Sequence, residues 1–259
     1  MIQLFNIVLY QPLFNLLVWL YNIIPGHDVG LAIILLTIII KLILYPFSIQ
    51  SIRAQKAMRD IQPKLEEIKK KNKDNKEQLS REMMALYKKE KINPASSCIP
   101  LLIQLPFLIA VYRVFRTGLA SGSLALLYSF IHNPGTLNPI AFGFLDLSKP
   151  NIYLAVLAGI AQFFQARMMN TKKPPKSIEN KEVAKDEGLS AAMNKQMMYI
   201  MPIITVVIAR SLPGGLALYW FLTTLLMILQ QWYFFRKKDK ENNNNPPQPI
   251  EAESTEKPA

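Results

Sequence analysis

Apolar residues along this chain gather into long blocks separated by strongly charged stretches. Four blocks reach or approach the about 20 helical residues needed to cross a hydrocarbon core of about 30 Å. They lie at roughly 30–49, 98–117, 151–167 and 214–235, and a fifth at about 197–212 is just short of that length. The last two are joined by Pro213-Gly214-Gly215, a turn that permits only an antiparallel helical hairpin.

Between the first two blocks the pattern changes. Met58, Ile61, Leu65 and Ile68 recur at helical steps, as do Leu79, Met83 and Leu86, with the polar breaker KNKDNK between the two stripes and Asn93-Pro94 at the end. This spacing predicts two antiparallel helices over 50–95, zipped along narrow apolar seams and projecting from the membrane, with Pro63 kinking or restarting the first. A solvated connector would show the same charge pattern. Its length argues against so modest a role, because two spans can be joined by a handful of residues.

The N-terminal stretch, MIQLFNIVLYQPLFNLLVWLYNIIPG, is apolar but places Gln11, Asn15 and Asn22 on one helical stripe. Pro12 marks a helix start and Pro25-Gly26 an end, so a helix lying in the outer interface is expected over 1–25, with Trp19 and Tyr21 at headgroup level. An uncleaved sixth span is the alternative. No Lys or Arg precedes Lys41, as a secretory signal would require.

Charge fixes the orientation. The net charge of +12 would raise nucleic acid as a partner in a soluble protein, but its location decides otherwise. Residues 50–97 hold 13 Lys/Arg against 7 Asp/Glu, residues 167–197 hold 7 against 4, and residues 118–150 hold 1 of each. The positive-inside rule then puts the hairpin, the 168–195 loop and the RKKDK after the last span in the cytoplasm, with the N-terminus outside. The resulting plan has five transmembrane helices at 26–49, 96–117, 151–167, 196–212 and 214–235. An outer segment lies at 118–150, and a tail at 236–259 is disordered by composition.

Catalytic chemistry is hard to find. His27 and His132 lie in separate outer segments and Cys98 is the lone cysteine, so no metal set, disulfide or cofactor site can be assembled. There is no Gly-rich phosphate loop, no G-x-S-x-G and no acidic pair within the spans. What stands out is Lys41, inside the first block. Counted from Ser48 along a straight helix, it lies roughly 10 Å from the cytoplasmic interface, beyond the roughly 6 Å reach of its side chain. A central lysine costs about 2.5–3.5 kcal/mol. It either snorkels towards the inner leaflet or faces a hydrated cavity. Thr37 and Tyr45 lie one turn away on the same face, and Gln104, Gln162, Gln165, Tyr219, Trp220, Thr223 and Thr224 are uncharged polar candidates on other spans. No intramembrane Asp or Glu is available to neutralise Lys41, which favours a cavity awaiting an anion from elsewhere.

KLILYPFSIQSIRAQKAMRDIQPKLEEIKKK, EQLSREMMALYKKEKINPASSCIPLLIQLPFLIAVYRVF and MPIITVVIARSLPGGLALYWFLTTLLMILQQ together resemble the core of the YidC membrane-protein insertases, relatives of the Oxa and Alb proteins. The resemblance implies an all-α integral membrane protein of the bacterial inner membrane. Five helices would surround a hydrophilic groove open to cytoplasm and lipid, with a cytoplasmic two-helix hairpin. Lys41 matches the groove cation and Thr37 a groove-lining threonine, while Gln162 and Trp220 match groove-facing positions; Gln104 and Tyr219 join them as polar candidates. In the hairpin, Arg53, Lys56, Arg59, Pro63, Met83 and Met84 are the expected contacts for substrate or delivery partners. The implied function is insertion and chaperoning of nascent membrane proteins, without catalytic residues, metal or cofactor. The implied partners are the ribosome, the signal recognition particle and its receptor, the Sec translocon and membrane lipids, with no specific nucleic acid.

Three features depart from the family pattern. The groove cation is usually arginine, whose planar fork lysine lacks. The large outer domain and first helix of some members are absent, and the tail beyond RKKDK is acidic where some members carry basic, ribosome-docking tails. A small channel or transporter using the same polar cavity is the rival reading, but neither a ring of like residues nor repeat symmetry supports it.

Overall fold

The computed structural model describes residues 2–72, 75–93, 99–117, 126–169 and 196–244. These are mostly helical: α1 (Ile2–Phe5), α2 (Gln11–Ile23), α3 (Val29–Ile43), α4 (Tyr45–Asp60), α5 (Gln62–Lys71), α6 (Lys76–Lys89), α7 (Ile99–Thr117), α8 (Ile152–Met169), α9 (Met201–Ala209) and α10 (Gly214–Asn244). The outer segment adds a small antiparallel hairpin, β1 (Ile140–Ala141) with β2 (Leu145–Asp146), which the all-helical expectation lacks. Cys98, residues 118–125 of the outer segment, nearly all of the 168–195 loop and the tail beyond Asn244 lie outside the described residues.

A described helix falls within each of the five predicted spans, but two of them run differently from the expectation. The first span is not one straight helix: α3 ends at Ile43 and α4 leaves at 68°. Pro46, in the first turn of α4, has no N–H for the preceding turn and clashes with its carbonyl, so the chain bends at Leu44. The depth of Lys41 counted from Ser48 therefore does not apply, because the bend comes three residues after it. At the other end α10 continues to Asn244, past the predicted limit of 235, because RKKDKE consists largely of good helix formers.

Two prolines are absorbed without ending a helix. Pro12 was the predicted helix start, yet helix precedes it: a wider π turn, Asn6–Tyr10, carries the chain from α1 into α2. The same pairing recurs where a π turn at Gln196–Ile200 leads into α9 just before Pro202.

Packing centres on α8, which lies against α9 and α10, while α3 lies between α2 and α10. The inner face of α8 carries Ala155, Ala158, Gly159 and Ala161, small residues that let backbones approach closely. Its outer face exposes Tyr153, Val156, Ile160 and Phe164, and α3 exposes Leu31, Leu35, Ile38 and Leu42 in the same way. Gln3–Ile23 and Gly214–Arg236 are each long and apolar enough to cross a membrane, and the bent α3–α4 pair is a third if counted as one span. Ile152–Met168 and Met198–Ala209 are shorter apolar helices.

The outer segment ties the helices together at one end. Asp28 caps α3 by accepting from Leu31 N at 3.0 Å and also accepts from Phe142 N. Gly214 and Gly215 open α10, and their N–H groups donate to Lys149 O and Leu147 O, each at 2.9 Å. Only glycine fits there, since a Cβ on Gly215 would lie 2.7 Å from the Phe115 ring.

Candidate functional site

The inward face of α3 carries Ile33, Leu36, Thr37, Ile40 and Lys41, all buried. Thr37 satisfies its hydroxyl within the helix by donating to Ile33 O at 2.7 Å. Lys41 is only 8% exposed and makes no hydrogen bond or ion pair among the described residues. It opens into a pocket of about 270 Å³ between the end of α3, the start of α4 and the second half of α10. The walls are apolar, from Ile38, Leu42, Leu226 and Leu229, and the polar lining includes Tyr45, Gln230 and Tyr233. The Oε1 atom of Gln230 is buried without a hydrogen-bond partner among the described residues.

The other predicted groove residues lie elsewhere. Gln104 on α7 donates to the buried Tyr219 hydroxyl on α10 at 2.9 Å, joining two candidates directly. Trp220 and Gln162 are half-buried, on α10 and α8. Of the six, only Lys41 lines its pocket. Gln230 was missed, although it lies seven residues beyond Thr223, two helical turns along the face of a residue already singled out.

Below the pocket, α4 is clamped to α10 by buried polar groups. Gln231 donates to Gln55 Oε1 at 3.1 Å, and Gln55 donates to Ser51 Oγ at 3.2 Å. The Arg59 guanidinium lies 4.6 Å from the Phe235 ring and that of Arg53 6.0 Å from Phe234, while Lys56 is buried. These three predicted hairpin contacts thus belong to the docked base of the hairpin. Pro63 lies in the first turn of α5 and restarts the helix after Ile61; Met83 is half-buried and Met84 exposed on α6. Lys64 bonds Glu90 across the α5–α6 pair, holding the Glu90 carboxyl below the usual carboxylate range. At the other end Asn72 donates to Glu82 at 2.7 Å.

The family model described as 60Kd inner membrane protein matches residues 19–242. A membrane protein insertase YidC of Fusobacterium nucleatum is 32% identical over 82% of this chain and 89% of its own length. The chain belongs to the YidC insertase family. A YidC of Clostridium tetani is 35% identical over 76% of each chain. An active YidC insertase crystal structure with the first transmembrane domain resolved aligns at a TM-score of 0.58 and 27% identity, covering 88% of this chain. This chain spans 46% of that solved protein and 34% of a Vesicomyosocius okutanii YidC, so it matches the shorter YidC proteins over most of their length and the longer ones over part. The activity named for the YidC family is membrane-protein insertion, not enzymatic catalysis. The lysine in the α3–α10 pocket, the polar contact between α7 and α10 and the clamped hairpin base are thus features of an insertase scaffold.

Proposed function

We propose that the chain inserts membrane proteins, receiving nascent hydrophobic segments in a groove open to cytoplasm and lipid and releasing them into the bilayer. The observation that supports this most is Lys41: buried, without an ion pair among the described residues, and facing a pocket with apolar walls. Such a charge is costly within a membrane unless an anion reaches it, and an acidic residue in the short polar region of a client is such an anion. The client's hydrophobic segment then partitions into lipid, gaining about 25 cal/mol per Å² of apolar surface. The half-buried Gln104, Gln162 and Trp220 are the further polar groups assigned to the groove, while Thr37 and Tyr219, each 1% exposed, lie behind them. The α5–α6 hairpin meets clients and their delivery partners, among them the ribosome, the signal recognition particle and the Sec translocon.

In this reading α3, α7, α8, α9 and α10 form the five-helix bundle, with the N-terminus outside and the C-terminus in the cytoplasm. The N-terminal helix lies along the outer interface. From Asn6 to Asn22, about 24 Å of helix, its polar groups pair with the outer end of α7 or the outer segment. Asn6 accepts from Arg113, Asn15 bonds Leu126 and Tyr128, and Asn22 donates to His132 O. A helix crossing the bilayer would leave that level at one end.

Complementation in cells depleted of their own insertase tests the central claim. Lys41→Arg restores growth and Lys41→Glu does not; equal rescue by both would remove the electrostatic role of Lys41. Purified protein in liposomes should insert a small single-span client without passing solutes.

A further inference from the structure

We infer that Gln230 is a specificity-determining residue of the Lys41 pocket, selecting client segments that present a carboxylate together with a free backbone N–H. The inference rests on the insertase reading and names the chemistry the pocket accepts. Lys41, from α3, offers only donors; Gln230, from α10, turns a buried acceptor, Oε1, that no group among the described residues meets. The two do not bond each other, so the pocket holds two separate unmet demands. Its apolar walls, Ile38, Leu42, Leu226 and Leu229, do not satisfy either of them. An unsatisfied buried acceptor is expensive, so the fitting occupant brings an anionic acceptor and a neutral donor at once. An extended peptide carrying Asp or Glu does so, with its carboxylate towards Lys41 and a peptide N–H towards Gln230. A bare phosphodiester brings acceptors alone and leaves Gln230 unmet, whereas a phosphatidylethanolamine headgroup adds an ammonium donor and is the competitor that the experiment separates from a peptide. At about 270 Å³ the pocket suits one side chain with its adjoining peptide rather than a helix of about 10–12 Å diameter.

The experiment uses the full chain in liposomes and two single-span clients that both carry Asp in the translocated segment and differ at the neighbouring residue, Ala or Pro, so that only the first offers a backbone N–H there. The readout is the ratio of Ala to Pro client inserted. Gln230→Leu removes the acceptor and keeps Lys41, and should lower that ratio about fivefold, the loss of one hydrogen bond. Gln230→Met, of similar length and likewise without an amide acceptor, should lower it by as much. Thermal melting in detergent checks that both variants fold, and either variant alone is decisive. A ratio indifferent to both substitutions overturns the inference, as does an equal fall for both clients, which would make Gln230 a packing residue. A ratio that follows the phosphatidylethanolamine content of the liposomes but not residue 230 also overturns it, in favour of a lipid headgroup. If the unsubstituted chain inserts neither client, the insertase reading itself fails; if it inserts both with a ratio blind to residue 230, only the role of Gln230 does.

Discussion

Gly159 stands where α8 meets α9, and a Cβ there would lie 2.3 Å from Val206 Cγ2 and 3.1 Å from Pro202 O. The first contact is with a side chain that can be shortened, the second with backbone that cannot. Gly159→Ala should therefore cost about 1–3 kcal/mol, the usual range for overpacking, read as a lower melting temperature in detergent. Val206→Ala in the same chain should recover part of the loss, which a double-mutant cycle measures as a coupling between the two sites. Additive effects would mean the helices simply move apart. Lys41 poses the opposite problem, a side chain with too few contacts instead of too many. Its burial is locally expensive, and in the proposed reading the compensation comes from an anion on the client, so the residue that would most mark the function is one that fold stability alone would not select.

Among the elements, the hairpin shows how local charge and tertiary docking divide the work. Glu90 is partly exposed and held below its ordinary pKa by its bond from Lys64. A depressed carboxylate contributes stability above its unfolded pKa of about 4.3, and that contribution is lost as pH falls through the lower folded value. Spin labels on α5 and α6, at Glu67 and Lys88, should thus hold a narrow distance distribution at pH 6 and broaden below about pH 4. Glu90→Gln should be broad throughout; a distribution in the unsubstituted chain that ignores pH would rule out this tie. At the base, Gln55→Leu removes the bond from Gln231 and should loosen α4 from α10 by about 1 kcal/mol, visible as faster amide exchange in α4 with α8 unchanged. The seams and the restart at Pro63 were legible because Met58, Ile61, Leu65 and Ile68 mark a helical period and proline disrupts it locally. The bend at Leu44 was written in Pro46 but hidden by the continuous apolar run around it. The Gln55–Gln231 and Gln104–Tyr219 contacts join residues 176 and 115 positions apart, and no local period encodes such pairings.

At the scale of the whole molecule, the N-terminal helix is where pattern and tertiary structure bear most differently on one question. Its length and hydropathy suffice for a membrane crossing, and its polar stripe was the reason to expect an interfacial position. The stripe has another use: Gln11, Asn15 and Asn22 all donate to backbone carbonyls of the outer segment, so it does not by itself report contact with headgroups. What favours the interface is that these partners accompany the helix along its length. Trp19, 46% exposed on α2, reports the depth directly. With Trp220 and Trp232 replaced by Phe, fluorescence in liposomes should be quenched most by lipids labelled near the headgroup. Quencher depth should matter for Leu9→Trp, in a chain also lacking Trp19, in the same way, because a helix lying flat holds both positions at one level. A crossing helix would separate them by about 15 Å and give two different depth profiles, which would turn the proposed five-helix arrangement into one of six.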